Sequence, residues 1–266
     1  MGQLEGRTAL VTGAASGIGL AAAHRFVAEG AHVFITGRRQ AELDEAAEAL
    51  GPDATPVRGD VSDLDDLDRV FAAVTEHGDG LDVLFANAGG GAFAPLAELT
   101  PAQFDETFAI NVRGAVFTVQ KALAVLNDGA SIILTGSTSA SKGVEAFGVY
   151  AASKAALGSF ARTWAAELRQ RGIRVNTVVP GPTDTPGLRG LAPHPDQAPQ
   201  LLAQLAAGVP LGRLGSTDEI ANAVLFLASD QSSFVTASEL FADGGEVHVG
   251  LKAAHVDQSV NALPAP

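Results

Sequence analysis

Short apolar runs alternate with helical stretches along almost the whole chain, and this alternation restricts the fold more than any other feature. RTALVT (7–12), AHVFIT (31–36), TPVRGD (55–60), LDVLFANAG (81–89), SIILTG (131–136), IRVNTVVPG (173–181) and SELFA (238–242) read as strands. Helical patterns connect them at 17–30, at 39–50 and at 63–78 with Ser62 as N-cap. A fourth runs over 101–126, with Thr100 as cap and Pro101 in the first turn, and a fifth over 148–171. Two more helices are expected near 197–207 and 217–229. Apolar strands joined by helices imply a parallel sheet covered on both faces. Right-handed crossovers then give a single doubly wound α/β domain over residues 1–250. A Pro/Gly-rich stretch at 181–200 interrupts the rhythm, so 183–215 is expected to close over the site as a lid, and 251–266 to form a C-terminal tail.

The 266 residues include no cysteine, which excludes disulfides and thiolate metal sites and agrees with a cytoplasmic location. No metal-ligand set is read from the sequence. No apolar stretch is long enough to span a bilayer, and the first residues lack the basic-then-apolar pattern of a secretion signal. A formal charge of −13 repels nucleic acid and anionic membranes, so neither is expected as a partner.

TGAASGIG (12–19) joins the first strand to the first helix. Gly13 permits a tight turn, and Gly17 and Gly19 let backbone and helix come close to a bulky ligand. A helix opening at Ser16, Gly17 and Ile18 offers free N–H groups and a favourable dipole to a pyrophosphate. A turn that needs glycine only for packing is the plainer alternative. Dinucleotide folds often end the second strand on an acidic residue that takes the ribose hydroxyls; this chain has Gly37, Arg38 and Arg39 there. A guanidinium fork suits a 2′-phosphate and no carboxylate repels it, which favours NADP(H), with NAD(H) as the alternative. Asp60 and Val61 follow the third strand, where Asp60 can accept from an adenine amino group. In Asn87-Ala88-Gly89, Asn87 can bridge neighbouring loops, and Gly89 leaves room for a ribose.

The chain has one tyrosine, Tyr150, and Lys154 stands four residues later on the same expected helix face. An ammonium beside a phenol stabilises the phenolate; lowering its pKa by about 2–3 corresponds to roughly 3–4 kcal/mol. Such a phenol gives and takes protons near neutral pH. Ser137, just past the fifth strand, can hydrogen-bond a carbonyl oxygen beside the tyrosine. Asn111 lies inside a helical stretch, where asparagine is unfavourable, and a kink holding a water near Lys154 would account for it.

In order and spacing, TGAASGIG, Asp60-Val61, Asn87-Ala88-Gly89, Asn111-Val112, Ser137, Tyr150 with Lys154, and Pro180-Gly181 with Thr185 resemble the compact one-domain branch of the short-chain dehydrogenase/reductases. The resemblance spans about residues 4–250 and implies a Rossmann-type sheet and NAD(P)-dependent hydride transfer. It implies that Tyr150 is the acid/base and that Lys154 lowers its pKa and holds the nicotinamide ribose. It implies further that Ser137 orients the substrate carbonyl and that Asn111 supports a water-mediated proton relay. The segment after Pro180 and Gly181 would meet the nicotinamide carboxamide through the Thr183 backbone and the Thr185 hydroxyl. A homotetramer or dimer, built on the helices near 101–126 and 148–171, is implied as well. The chain departs from the pattern at Ser16, where many NADP-preferring relatives are basic, in FADGG in place of Val-Asp-Gly-Gly, and in its long tail.

The expected substrate walls are GGGAF (89–93), GVEAFG (143–148) and 183–215, mostly apolar, with Glu145, Arg189 and His194 as polar accents. They suit a small, fairly apolar carbonyl compound or secondary alcohol. A 3-oxoacyl-carrier-protein reductase and an NAD-dependent sugar or polyol dehydrogenase are alternatives. A non-catalytic NAD(P)-binding regulatory protein is a third, opposed by the presence of all four catalytic-type residues.

Overall fold

All five residues of Thr8–Thr12, strand β1, are buried, as a strand covered on both faces requires. The computed structural model describes residues 2–250, and the expected tail at 251–266 lies outside the described residues. β1 pairs in parallel with β2 (His32–Gly37) and with β4 (Leu81–Ala86). With β3 (Ala54–Arg58), β5 (Leu126–Thr135), β6 (Arg174–Pro180) and β7 (Glu239–Ala242), they make a seven-stranded sheet ordered β3-β2-β1-β4-β5-β6-β7. The strand order reverses between β1 and β4, and the crevice beyond the carboxyl ends of those strands is where doubly wound sheets hold ligands.

Alternate residues along each strand face opposite layers. Ala9, Val11, Val33, Ile35 and Phe85 pack with α1 (Gly17–Ala28), α2 (Gln40–Leu50) and α9 (Thr217–Ala228), through Phe26, Leu43 and Val224. Leu10, Phe34, Leu84 and Ile132 pack against α3 (Leu64–His77), α5 (Ala115–Ala122) and α6 (Gly148–Leu168), through Val70, Val119 and Leu157. Burying each such side chain contributes about 1.5–3 kcal/mol, so two apolar layers hold the strand ends in a fixed row.

Three local expectations are corrected. The α3 N-cap is Asp63, whose carboxylate accepts from the Asp65 and Asp66 N–H groups; Ser62 instead donates to Asp60. The 101–126 stretch is not one helix. Thr100 and Gln103 form a capping box for α4 (Pro101–Phe108), but Ala109–Gly114 is π-helical before α5 resumes. β5 begins at Leu126 rather than 131, because Leu126 pairs with Leu81 ahead of a register shift. The 183–215 segment holds α7 (Pro186–Arg189) and α8 (Ala198–Ala207). No helix among the described residues is long and apolar enough to cross a membrane.

Candidate active site

A cleft of about 620 Å³ opens at the carboxyl ends of the strands. Of the catalytic and dinucleotide-binding residues expected from the sequence, all but Gly19 and Asn111 line it. Gly19 acts behind the wall: a Cβ there would stand 2.3 Å from the Gly13 carbonyl oxygen, so glycine lets α1 close on the first loop. Gly13 has φ +64°, the left-handed conformation that glycine adopts freely. A Cβ on Gly13 would meet the Ala88 Cα at 2.9 Å, so the turn also admits the neighbouring strand end.

At one end of the cleft, Ser16, Gly17 and Ile18 begin α1, and the Ser16 side chain makes no capping bond to the helix. Asn87 ties this loop down as expected. Its amide donates to the Thr12 and Gly13 carbonyls at 3.1 and 3.3 Å, and its oxygen accepts from Thr135 at 3.2 Å. Gly37, Arg38 and Arg39 form the adjoining wall with Asp60 and Val61. The Arg38 guanidinium is 3.9 Å from the Asp60 carboxylate, and Arg39 pairs with Glu42. The sequence reading did not single out Arg58, which lies opposite Gly37 in the parallel ladder and donates to the Arg38 carbonyl at 3.2 Å. Its place inside the strand-like run 55–60 gave no local signal of that contact. Thr36 Oγ1 is buried beside the cleft with no hydrogen-bond partner among the described residues. This glycine cradle, a helix N-terminus and a guanidinium pair without an acidic strand end fit a dinucleotide.

The other end gathers Ser137, Tyr150 and Lys154. β5 ends at Thr135, and the following loop carries Ser137, whose hydroxyl accepts from Ser139 N and shares a 2.6 Å hydrogen bond with Ser139 Oγ. Tyr150 and Lys154 sit one turn apart on α6, with the amine 5.7 Å from the ring centroid. Lys154 Nζ donates to the Thr135 carbonyl at 2.8 Å. Asn111 is 1% exposed. Its oxygen accepts from Gly90 N at 2.9 Å, and its amide donates to the Gly90 carbonyl at 2.8 Å and to Ser153 at 2.9 Å. Asn111 lies in the π-helical turn Ala109–Gly114, which accommodates this inward side chain. A Cβ on Gly89 would lie 3.0 Å from Lys154 Nζ and 3.1 Å from Asn111 Oδ1, so bare backbone is all that fits between those two groups.

The expected lowering of the phenol pKa does not occur in the dinucleotide-free protein. Burial pushes Tyr150 up, and the Ser137 hydroxyl partly opposes this. Burial also pulls Lys154 down from 10.5 to about 8. Dehydration disfavours both charged forms, and the amine is spent on the Thr135 carbonyl rather than the phenol.

Beyond Pro180 and Gly181, Thr183 pairs with Gly215 in a parallel bridge. That bridge uses the flanking Pro182 carbonyl and Asp184 N–H, which leaves the backbone groups of Thr183 itself on the opposite side. Thr185 caps α7 by accepting from Leu188 N at 3.0 Å. Gly90, Gly91, Phe93, Val144, Phe147 and leucines of the 183–215 segment line the cleft beside them. The expected polar accents Glu145, Arg189 and His194 do not line the cleft; Lys142 and Glu246 do. Arg189 instead pairs with Asp184 on the surface. No local pattern marks a lysine and a glutamate 104 residues apart as partners.

Gly91 sets the ring of Tyr150. A Cβ there would stand 2.5 Å from Cδ2 and 2.9 Å from Cβ of the tyrosine. Gly91→Ala is therefore expected to tilt the ring and lower kcat by about 10²-fold, the effect of roughly 1 Å of misplacement, with dinucleotide affinity retained. Steady-state rates alongside a dinucleotide titration measure both, and an unaltered kcat would show that this contact does not hold the ring.

Sheet topology, glycine cradle and the tyrosine–lysine wall together define the class of nicotinamide-dinucleotide oxidoreductases. A family model described as enoyl-(acyl carrier protein) reductase matches residues 13–246. The chain is 46% identical over 245 residues to the oxidoreductase asL5 of Sarocladium schorii, covering 91% of this chain and 96% of that one. It is 34% identical over 251 residues to the sorbitol dehydrogenase of Cereibacter sphaeroides, covering 91% and 98%. A solved structure of a short chain dehydrogenase/reductase family protein superposes with a TM-score of 0.80 at 44% identity, covering 93% of this chain and all of that one. The chain belongs to the short-chain dehydrogenase/reductases and is an NAD(P)-dependent oxidoreductase.

Proposed function

We propose that this oxidoreductase uses NADP(H) and acts on the carbonyl or secondary alcohol of a small, largely apolar substrate. The observation that carries the reading is the shared wall of Ser137, Tyr150 and Lys154, which faces a mostly apolar chamber at the end of the dinucleotide cleft. A bound nicotinamide supplies or takes the hydride. In the reducing direction, the Tyr150 hydroxyl gives its proton to the substrate oxygen. The Ser137 hydroxyl donates to the same oxygen as charge develops there. Lys154 and Asn111 both close on Gly89, where Lys154 would hold the nicotinamide ribose and, supported by Asn111, would return a proton to Tyr150. Leu188, Leu191, Leu201 and Leu205, from the 183–215 lid of a domain spanning 1–250, exclude bulk water. The assay is a ketone panel with NADPH and NADH, read at the nicotinamide absorbance; tight dinucleotide binding without turnover would favour a regulatory role instead.

Preference for the 2′-phosphate rests on Gly37, Arg38 and Arg39 lining the cleft without a strand-end carboxylate. Arg38→Ala is expected to raise the Kd for NADPH by about 10–100-fold, the worth of a charge-assisted hydrogen bond, while NADH stays within about twofold. Equal losses for the two dinucleotides would assign the site to NAD(H). The reading also includes a cytoplasmic homo-oligomer, a tetramer or dimer. Its support is the α4 helix, which buries no residue, and the stacked Phe160 and Trp164, only partly buried on α6. A second reading, a polyol dehydrogenase, is favoured by the sorbitol dehydrogenase relative and by the charged pair in the substrate wall.

A further inference from the structure

We propose that Glu246, with Lys142, reads a hydroxyl group that the substrate carries away from its reacting carbonyl. The proposal rests on the reading of this cleft as a carbonyl site and names the substrate class more closely: a hydroxylated ketone or the corresponding diol.

Glu246 follows β7 in a turn built for its position. Asp243 accepts from Gly245 N at 2.8 Å and Val247 N at 3.0 Å, and Gly244 and Gly245 take φ +63° and +90°. The turn brings the Glu246 side chain into the cleft wall, where it is 8% exposed. One carboxylate oxygen accepts from Lys142 Nζ. The other is buried and has no hydrogen-bond partner among the described residues. Val144, Phe147, Leu201 and Leu205, which also line the cleft, carry no side-chain donor.

A buried carboxylate oxygen without a donor is rare and unfavourable, and here it belongs to a residue of the cleft wall. A hydroxyl suits this ion pair in both directions. It donates to the spare Glu246 oxygen and accepts one of the two Lys142 protons that Glu246 does not use. Lys142 is 37% exposed at the chamber rim, so it can shift to admit the group. A substrate carboxylate would meet Glu246 as a like charge, and an ammonium would compete with Lys142 for it. A second ketone has no proton to donate.

The test uses the Tyr150→Phe protein loaded with dinucleotide, so that ligands bind without turnover. Titration calorimetry compares cyclohexanone with hydroxycyclohexanone and tetralone with its hydroxytetralones. The hydroxylated member of at least one pair is expected to bind about tenfold tighter or more, as in other sites built to bond a hydroxyl. Adding Glu246→Leu is expected to erase that preference while the parent ketone and the dinucleotide keep their affinities. Lys142→Met, at the more exposed partner, is expected to weaken the preference and serves if the Glu246 variant does not fold. The pair that shows the preference distinguishes an aliphatic alcohol from a phenol. Equal affinity within both pairs, or a preference that survives Glu246→Leu, overturns the proposal. So does an equal loss for both members of a pair, which would make the ion pair structural. Turnover of the parent ketones by the wild-type protein reports separately on hydride transfer, so either reading can fail without the other.

Discussion

Tyr150→Phe lowers kcat by about 10²–10⁴-fold, the range that a positioned general acid contributes, or roughly 3–5 kcal/mol of barrier. Dinucleotide affinity is expected to stay within about threefold, well under the roughly 1.4 kcal/mol that a tenfold change represents. The substitution removes one oxygen and leaves the ring. That ring stacks on Phe147 at a centroid distance of 4.4 Å and lies where a Cβ on Gly91 would intrude. Phenylalanine keeps both relations, so the cleft wall should not collapse. Stopped-flow rates with a substrate ketone, beside fluorescence titration of NADPH, make the comparison. A variant that turns over within threefold of wild type would remove the phenol from the reaction altogether.

Lys154→Met is expected to act in opposite directions on function and stability. Activity falls by about 10²–10³-fold, the scale for losing one preorganised donor beside developing charge. Stability of the dinucleotide-free protein rises near neutral pH. Burial has pulled the amine from 10.5 down to about 8. The fall corresponds to roughly 3 kcal/mol of penalty on the ammonium in the folded state. The sign follows from proton counting. Below about 8 the amine is protonated in folded and unfolded chains alike, so the whole penalty is present. Between about 8 and 10.5 only the unfolded chain keeps the proton, and wild-type stability climbs towards that of the variant. Urea unfolding of both proteins across this window should show the gap narrowing as pH rises. A Lys154→Met protein less stable than wild type at neutral pH would mean that the lysine supports the fold as well as the chemistry. NADPH should shrink the gap too, because a bound anion favours the ammonium.

The seven strands were legible because each apolar run is local and bounded by turn residues. The cradle was legible for a related reason: Gly13 needs φ +64°, and few residues besides glycine take it. Tyr150 and Lys154 could be paired from spacing alone, since a helix puts residues four apart on one face. Other features were out of reach. Ser62 and Asp63 are both acceptable N-caps by type, and the choice fell to Asp63 once the Ser62 hydroxyl bonded Asp60. The helix expected over 101–126 breaks because Asn111 is held by Gly90 and Ser153, the latter 42 residues away. Glu145, Arg189 and His194 were plausible polar accents by their place in the chain, yet none lines the cleft, and Arg189 pairs with Asp184 instead.

What the sequence determined by itself was the order of strands and helices, the parallel covered sheet and the identity of the residues at its strand ends. Those follow from hydrophobic period and from the few conformations glycine and proline permit, which are properties of neighbouring residues. Only the tertiary structure decided the state and company of those groups. The phenol is raised rather than lowered, the amine turns to the Thr135 carbonyl, and a glutamate from the far end of the chain lines the cleft with one oxygen unpartnered among the described residues. Dehydration and long-range contact cause all three, and both depend on what the folded chain packs around a group, which no stretch of sequence contains.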